Sequence, residues 1–162
     1  MKKIVFDVGV IVYILLAIVV TVCLLSYNDY NVSEINGNTL IIVKNDNTGS
    51  YHKNDLLIVG NDNKYEKNDS VFYYIKKANN YYINYGKIEK IENNNIIIDG
   101  EVINKKFLIS TDNNVTVLSQ VGGILALLES RWGYLCIIIL PIFIALLCEI
   151  YEIIKELKKS SK

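Results

Sequence analysis

Two apolar runs constrain this chain more than any other feature. The first, "VGVIVYILLAIVVTVCLL" from Val8 to Leu25, carries no charged residue. It reaches the ~18 apolar residues a membrane-spanning helix needs. The second, "WGYLCIIILPIFIALLC", runs from Trp132 to Cys148. In hydrocarbon every backbone polar group must find its partner within the segment, so both runs are predicted to be helices, and Pro141 is tolerable there. Lys2 and Lys3 precede the first run, while Lys155, Lys158 and Lys159 follow the second. The positive-inside rule then places both termini in the cytoplasm and residues 27–131 outside a plasma membrane. Arg131, Trp132 and Tyr134 mark one interface and Tyr151 the other, with Glu149 and Glu152 where the helix emerges. A cleavable signal peptide fits less well. Its apolar core usually spans ~7–15 residues before a small-x-small site, and none follows here. Val22 before Cys23 also argues against a lipoprotein cysteine.

The segment between the runs reads as β. "TLIIV", "DLLIVG", "SVFYYI", "NYYINY", "NIIID" and "KFLIS" are short β-branched or aromatic stretches between Asn, Asp and Gly turn signals. "NNNIIIDGEVI" predicts a hairpin turning at Asp99-Gly100. "VGGILALLES", Val121 to Ser130, has a helical period but is too short to span. It is expected along the membrane surface or against the β domain. The predicted order is a cytoplasmic leader and first span (1–27), an extracytoplasmic β domain (28–120), a membrane-proximal helix (121–131), a second span (132–154) and a basic tail (155–162).

Composition excludes several functions. Lys and Arg total 17, as do Asp and Glu, so no net field draws the chain to nucleic acid. The three cysteines lie in or beside the apolar runs and there is one histidine, which leaves a metal site almost no ligands. No glycine-rich phosphate loop follows a strand, so no nucleotide or other cofactor is expected. Asp46, Asp55, Asp62 and Asp69 are read as solvated turn residues. The tyrosines of "VFYYI" and "NYYINYG" are read as strand residues rather than a stacking surface.

One loop holds candidate chemistry. Between "LIIV" and "DLLIV" stand Ser50 and His52, a hydroxyl and the chain's single imidazole. Serine attacks only when a base within hydrogen-bonding reach takes its proton. Two residues apart in a loop, these side chains have no defined relation, and such bases are usually held by a third group from another segment.

The arrangement resembles signal peptidase I, in the branch that pairs serine with histidine. "KNDLLIV", Lys53 to Val59, is similar to the strand after that family's Ser-Gly-Ser-Met-x-Pro loop. "YEKNDSVFYY", Tyr65 to Tyr74, is similar to its Gly-Asp-Val-Ile-x-Phe segment, and "YGKIEKI", Tyr85 to Ile91, falls at its Thr-His-Arg-Ile-x-x-Ile. The final helices resemble its membrane-proximal helix and Pro-containing last span. The resemblance implies a signal-peptidase-like β domain flanked by two transmembrane helices. Its catalytic residues do not carry over. Gly86 stands at the base position and Lys87 replaces the arginine. With fewest gaps the nucleophile falls at Asp46 or Asn47. Matching "TGSY" instead makes Ser50 the nucleophile, without the loop's proline. Asp99 is nearest to the late acidic motif, and Lys76 on "YYIKK" matches the lysine-using branch.

Losing one member of such a unit costs about as much as losing all of it, near 10⁶-fold. The expectation is a catalytically degenerate relative that binds the lipid bilayer and holds a secreted preprotein segment or extended peptide. An active peptidase using Ser50, and an unrelated anchored β domain with a structural or adhesive role, are the alternatives.

Overall fold

The computed structural model describes residues 2–44, 48–62, 64–78 and 80–160. Asp46 and Asn47 therefore lie outside the described residues. The chain opens with a helix, α1 (Lys2–Leu25), and closes with a helical stretch, α3, over residues 131–160. Both are long and apolar enough to cross a membrane.

Nine strands lie between them among the described residues: β1 (Glu34–Ile35), β2 (Asn38–Ile42), β3 (Leu56–Gly60), β4 (Ser70–Lys77), β5 (Asn80–Glu92), β6 (Asn95–Ile98), β7 (Glu101–Asn104), β8 (Leu108–Thr111) and β9 (Val115–Leu118). They form two antiparallel sheets, ordered β1-β2-β3-β9 and β7-β6-β5-β4-β8. The predicted turn at Asp99-Gly100 is present, joining Ile98 to Glu101 with positive φ at both turn residues. Asn36-Gly37 makes the same kind of turn between β1 and β2. Asn-Gly is a short hairpin signal of the same kind as Asp-Gly.

The main core fills the space between the sheets. Ile41, Val43, Leu57 and Val59 of the first sheet side meet Phe72, Tyr74 and Ile109 of the second. A second cluster covers the other face of the five-stranded sheet, where Val71 and Tyr73 of β4 pack with Ile88, Ile96 and Ile98. The long strand β5 makes this possible. Its first part pairs with β4 and its last part with β6, with an irregularity between Ile88 and Lys90. Such bulges bend and twist a strand, here bringing β6 back over β4. Burial on both faces explains why "VFYY" in β4 is uninterrupted apolar and aromatic sequence rather than an alternation.

The short helix α2 (Val121–Glu129) lies against the β domain, as one of the two sequence expectations had it. It buries Gly122, Leu125 and Leu128 and exposes Val121, Ile124 and Leu127. Leu125 packs with Leu56 and with Cys23 at the end of α1. Gly122 is required there, because a Cβ would sit 2.5 Å from the Asp55 carbonyl oxygen. Leu128 joins Val20 and Ile138, tying α2 to both long helices.

In α3 residues Tyr134–Ile139 are π-helical and Pro141 follows. Proline offers no N–H to the carbonyl four residues back, that of Ile137. The Tyr13 hydroxyl of α1 reaches across and donates to the Ile138 oxygen at 2.6 Å and the Ile137 oxygen at 3.2 Å. Cys23, Cys136 and Cys148 are free thiols.

Candidate functional site

The loop from Thr48 to Asn54 enters the domain between β2 and β3. Thr48 accepts a hydrogen bond from Tyr51 N at 3.1 Å, closing a turn over Gly49 and Ser50. Gly49 has φ +60, and a Cβ there would meet the Tyr85 ring at 2.5 Å, so the turn lies directly on Tyr85. Tyr51 drops its ring into the core edge, 5.8 Å from Phe72 and 6.2 Å from Tyr85 between centroids.

Ser50 sits exposed on this turn. No hydrogen bond joins it to His52 or to a lysine among the described residues. His52 uses its backbone rather than its ring: its N–H donates to Asp55 Oδ2 at 3.0 Å, while the imidazole side chain is 86% exposed and stands 3.9 Å from the same oxygen. Lys76 lies four residues along β4 from Phe72, about 13 Å at ~3.3 Å per residue. Its ammonium is over the Tyr81 ring at 5.8 Å. Neither Lys76 nor His52 is placed as a base for Ser50.

The resemblance put the base at Gly86, and the strand geometry adds a second reason why it cannot serve. Gly86 pairs with Val71 and faces the cluster on the far side of the sheet. A side chain at 86 would run into Ile98 and Asp99, away from the turn. Lys87 is exposed beyond it. Asp99, the acidic position suggested by the resemblance, lies beside Gly86 on that far face. The carboxylate on the near side is Asp112, brought in by the 3-10 turn Asp112–Asn114.

Tyr85 is the residue that faces the turn. Its hydroxyl donates to Asp112 Oδ2 at 2.5 Å. Burial and the Asp112 carboxylate push the phenol up to about 12, so it is protonated throughout the neutral range. Tyr51 is raised for the same two reasons. The Tyr85 hydroxyl thus lies between Asp112 and Ser70, under the Gly49 corner of the turn, and no hydrogen bond joins it to Ser50 among the described residues. A phenol that is already donating to a carboxylate cannot take the serine proton. Neither Asp112 nor Tyr85 is singled out by the sequence; the turn-forming "TDNN" of Thr111 to Asn114 marks a turn but not a partner for Tyr85.

Asp55 also departs from its sequence reading. It is buried, 2% exposed, rather than solvated. Its carboxylate accepts from His52 N at 3.0 Å, Ser119 Oγ at 3.0 Å and Gln120 N at 3.3 Å. The His52 N–H, with Ser119 and Gln120, holds its carboxyl below the ordinary range against the opposing effect of burial. Asp62 and Asp69 do occupy turns, with Asp62 Oδ1 and Asp69 Oδ2 accepting from Lys64 N and Glu66 N. Among the described residues no group of three or more His, Cys, Asp or Glu is placed to hold a metal.

Comparison with protein-family models, with curated proteins and with solved structures returned no match.

Proposed function

We propose that this chain is a two-pass membrane protein, signal-peptidase-I-like in plan and without peptidase activity, that holds an extended secreted segment at the outer face of a plasma membrane. The observation that carries the reading is Tyr85. Its ring lies against Gly49 of the Ser50 turn, and its proton is committed to Asp112 rather than free to be exchanged with a serine. What remains suits binding. Strand β9 is the outer strand of its sheet, and its Thr116, Val117 and Leu118 are exposed. An extended peptide can add to such an edge by backbone hydrogen bonds with no catalytic group. The exposed apolar face of α2, continued by Trp132, suits contact with the lipid interface next to that edge. The α1 and α3 helices are then the two spans, with both termini cytoplasmic.

The test uses the full chain in liposomes with a radiolabelled preprotein and a fluorophosphonate probe. The expected result is no cleavage and no labelling of Ser50. The preprotein should instead crosslink to a photoreactive residue at position 116, and Val117→Lys, which places a charge on the edge, should abolish that crosslink. Cleavage that Ser50→Ala eliminates would replace this reading with an active peptidase. A reporter fused near residue 95 tests topology, and cytoplasmic placement would overturn it.

A further inference from the structure

A cleft of about 420 Å³ opens between the start of β2 and the 3-10 turn before β8. Its walls are tyrosine rings, those of Tyr30, Tyr65 and Tyr74, with Thr39 and Asn61 as hydrogen-bonding groups. Tyr30 stacks on Tyr74 with centroids 4.2 Å apart, and Asn28 Nδ2 donates to the Tyr74 hydroxyl at 3.0 Å, so this wall is preformed.

Its charge is distinctive. Lys105 and Lys106 line the cleft, and Glu34 is the single acid that does. By residue the lining carries two lysines and one glutamate, one net positive charge. Neither lysine forms an ion pair among the described residues, where the salt bridges are His52–Asp55 and Lys90–Glu92. Lys106 rests over Phe107 at 4.8 Å. A carboxylate partner normally neutralises such a lysine, and among the described residues these two have none.

We propose that this cleft binds a glycerol phosphodiester. A phosphodiester carries one negative charge, matching the net charge of the lining, and its polyol suits Thr39, Asn61 and the tyrosine walls. A peptide carboxylate would match the charge but bring backbone groups that need a strand. The nearest edge, β1, is only two residues long. The volume falls within the ~300–1,000 Å³ typical of small-ligand sites. Asn28 and Tyr30 follow Leu25 closely in the chain. Where α1 spans a membrane, this wall of the cleft begins within five residues of the end of the span. The proposal does not require the peptide-holding role of β9.

The experiment titrates the full chain in dodecyl maltoside micelles with glycerophosphoglycerol, followed by calorimetry. Saturable binding is expected. The Lys105→Gln/Lys106→Gln double variant should weaken it about tenfold or more, since two charge-assisted contacts are lost. Removing the same charge from β5 with Lys87→Gln/Lys90→Gln should change it less than about twofold. Near-UV circular dichroism of both variants must match that of the parent. Repeating the titration in nanodiscs separates the sources. If phosphatidylglycerol in the disc blocks the soluble diester, the ligand is a lipid headgroup. If it does not, the site takes a soluble or polymeric diester. Absence of saturable binding, equal loss in both double variants, or equal displacement by polyglutamate would overturn the proposal.

Discussion

The two ends of α2 each carry a carboxylate, and their surroundings are opposite. At the first end Asp55 faces Ser119 and Gln120, just ahead of Val121, and accepts three hydrogen bonds. At the last residue Glu129 Oε2 accepts from the Tyr27 hydroxyl at 3.1 Å, while the buried Oε1 has no hydrogen-bond partner within 3.5 Å among the described residues. The helix dipole works in the same direction as the hydrogen bonds. Negative charge is favoured at a helix N-terminus and disfavoured at its C-terminus. Accordingly Asp55 is shifted down by its donors, whereas burial pushes Glu129 up. Tyr27, desolvated beside that carboxylate, is pushed up to about 12. The first end of α2 is a fixed strut that locks the Ser50 loop to the β domain; the second end is where the structure tolerates misfit.

The comparison can be broken in four places. Asp55→Ala should have the largest effect. It orphans the His52 and Gln120 amides and the Ser119 hydroxyl, and should lower Tm by roughly 5–10 °C. Thermal unfolding of the full chain in micelles, followed by near-UV circular dichroism, measures it, and an unchanged Tm would show that Asp55 is not a strut. Next is acid. A carboxylate with a lowered folded pKa contributes stability that is full above its unfolded value of ~3.9 and lost as pH falls through the folded value. Tm should therefore drop steeply below about pH 4 in the parent and much less in Asp55→Asn. Glu129 works in the opposite sense, because its raised pKa makes the charged form costly in the folded state. Glu129→Gln should raise stability at pH 7 by about 0.5–1 kcal/mol and have no benefit at pH 4. Smallest of all, Ser50→Ala and His52→Ala should each stay within about 0.5 kcal/mol of the parent. The Ser50 hydroxyl is exposed, and His52 contributes a backbone N–H that alanine keeps.

The fold was legible where sequence and local physics agree. The two long helices follow from uninterrupted apolar length, and six strands follow from β-branched runs between Asn and Gly turns. Asp99-Gly100 declared its own hairpin. Strand β1 was not legible because two residues carry no period. Strand β9 was missed because "VTVL" lies beside the helical signal of α2 and exposes most of its side chains. The site was less legible still. Asp55 looked like a turn residue because its three donors come from His52 and from Ser119 and Gln120, the last two far along the chain. Tyr85 and Asp112 are likewise separated in sequence, and strand parity decides their meeting. Position 85 faces the turn and position 86 faces away, a distinction that motif alignment alone does not make.

The Tyr13 hydroxyl on the Ile137 and Ile138 carbonyls has one more consequence. A hydrogen bond between two long helices, placed at a π-helical stretch, fixes their rotation about their own axes as well as their distance. Higher up, Thr21 meets the Tyr134 hydroxyl at 3.2 Å, a second pin on the same seam. Two pins at different heights stop one rod from turning against the other. The β domain is attached at both rods, so its heading is set from below: β9, the Ser50 turn and the lysine-lined cleft each keep one compass bearing relative to the helix pair.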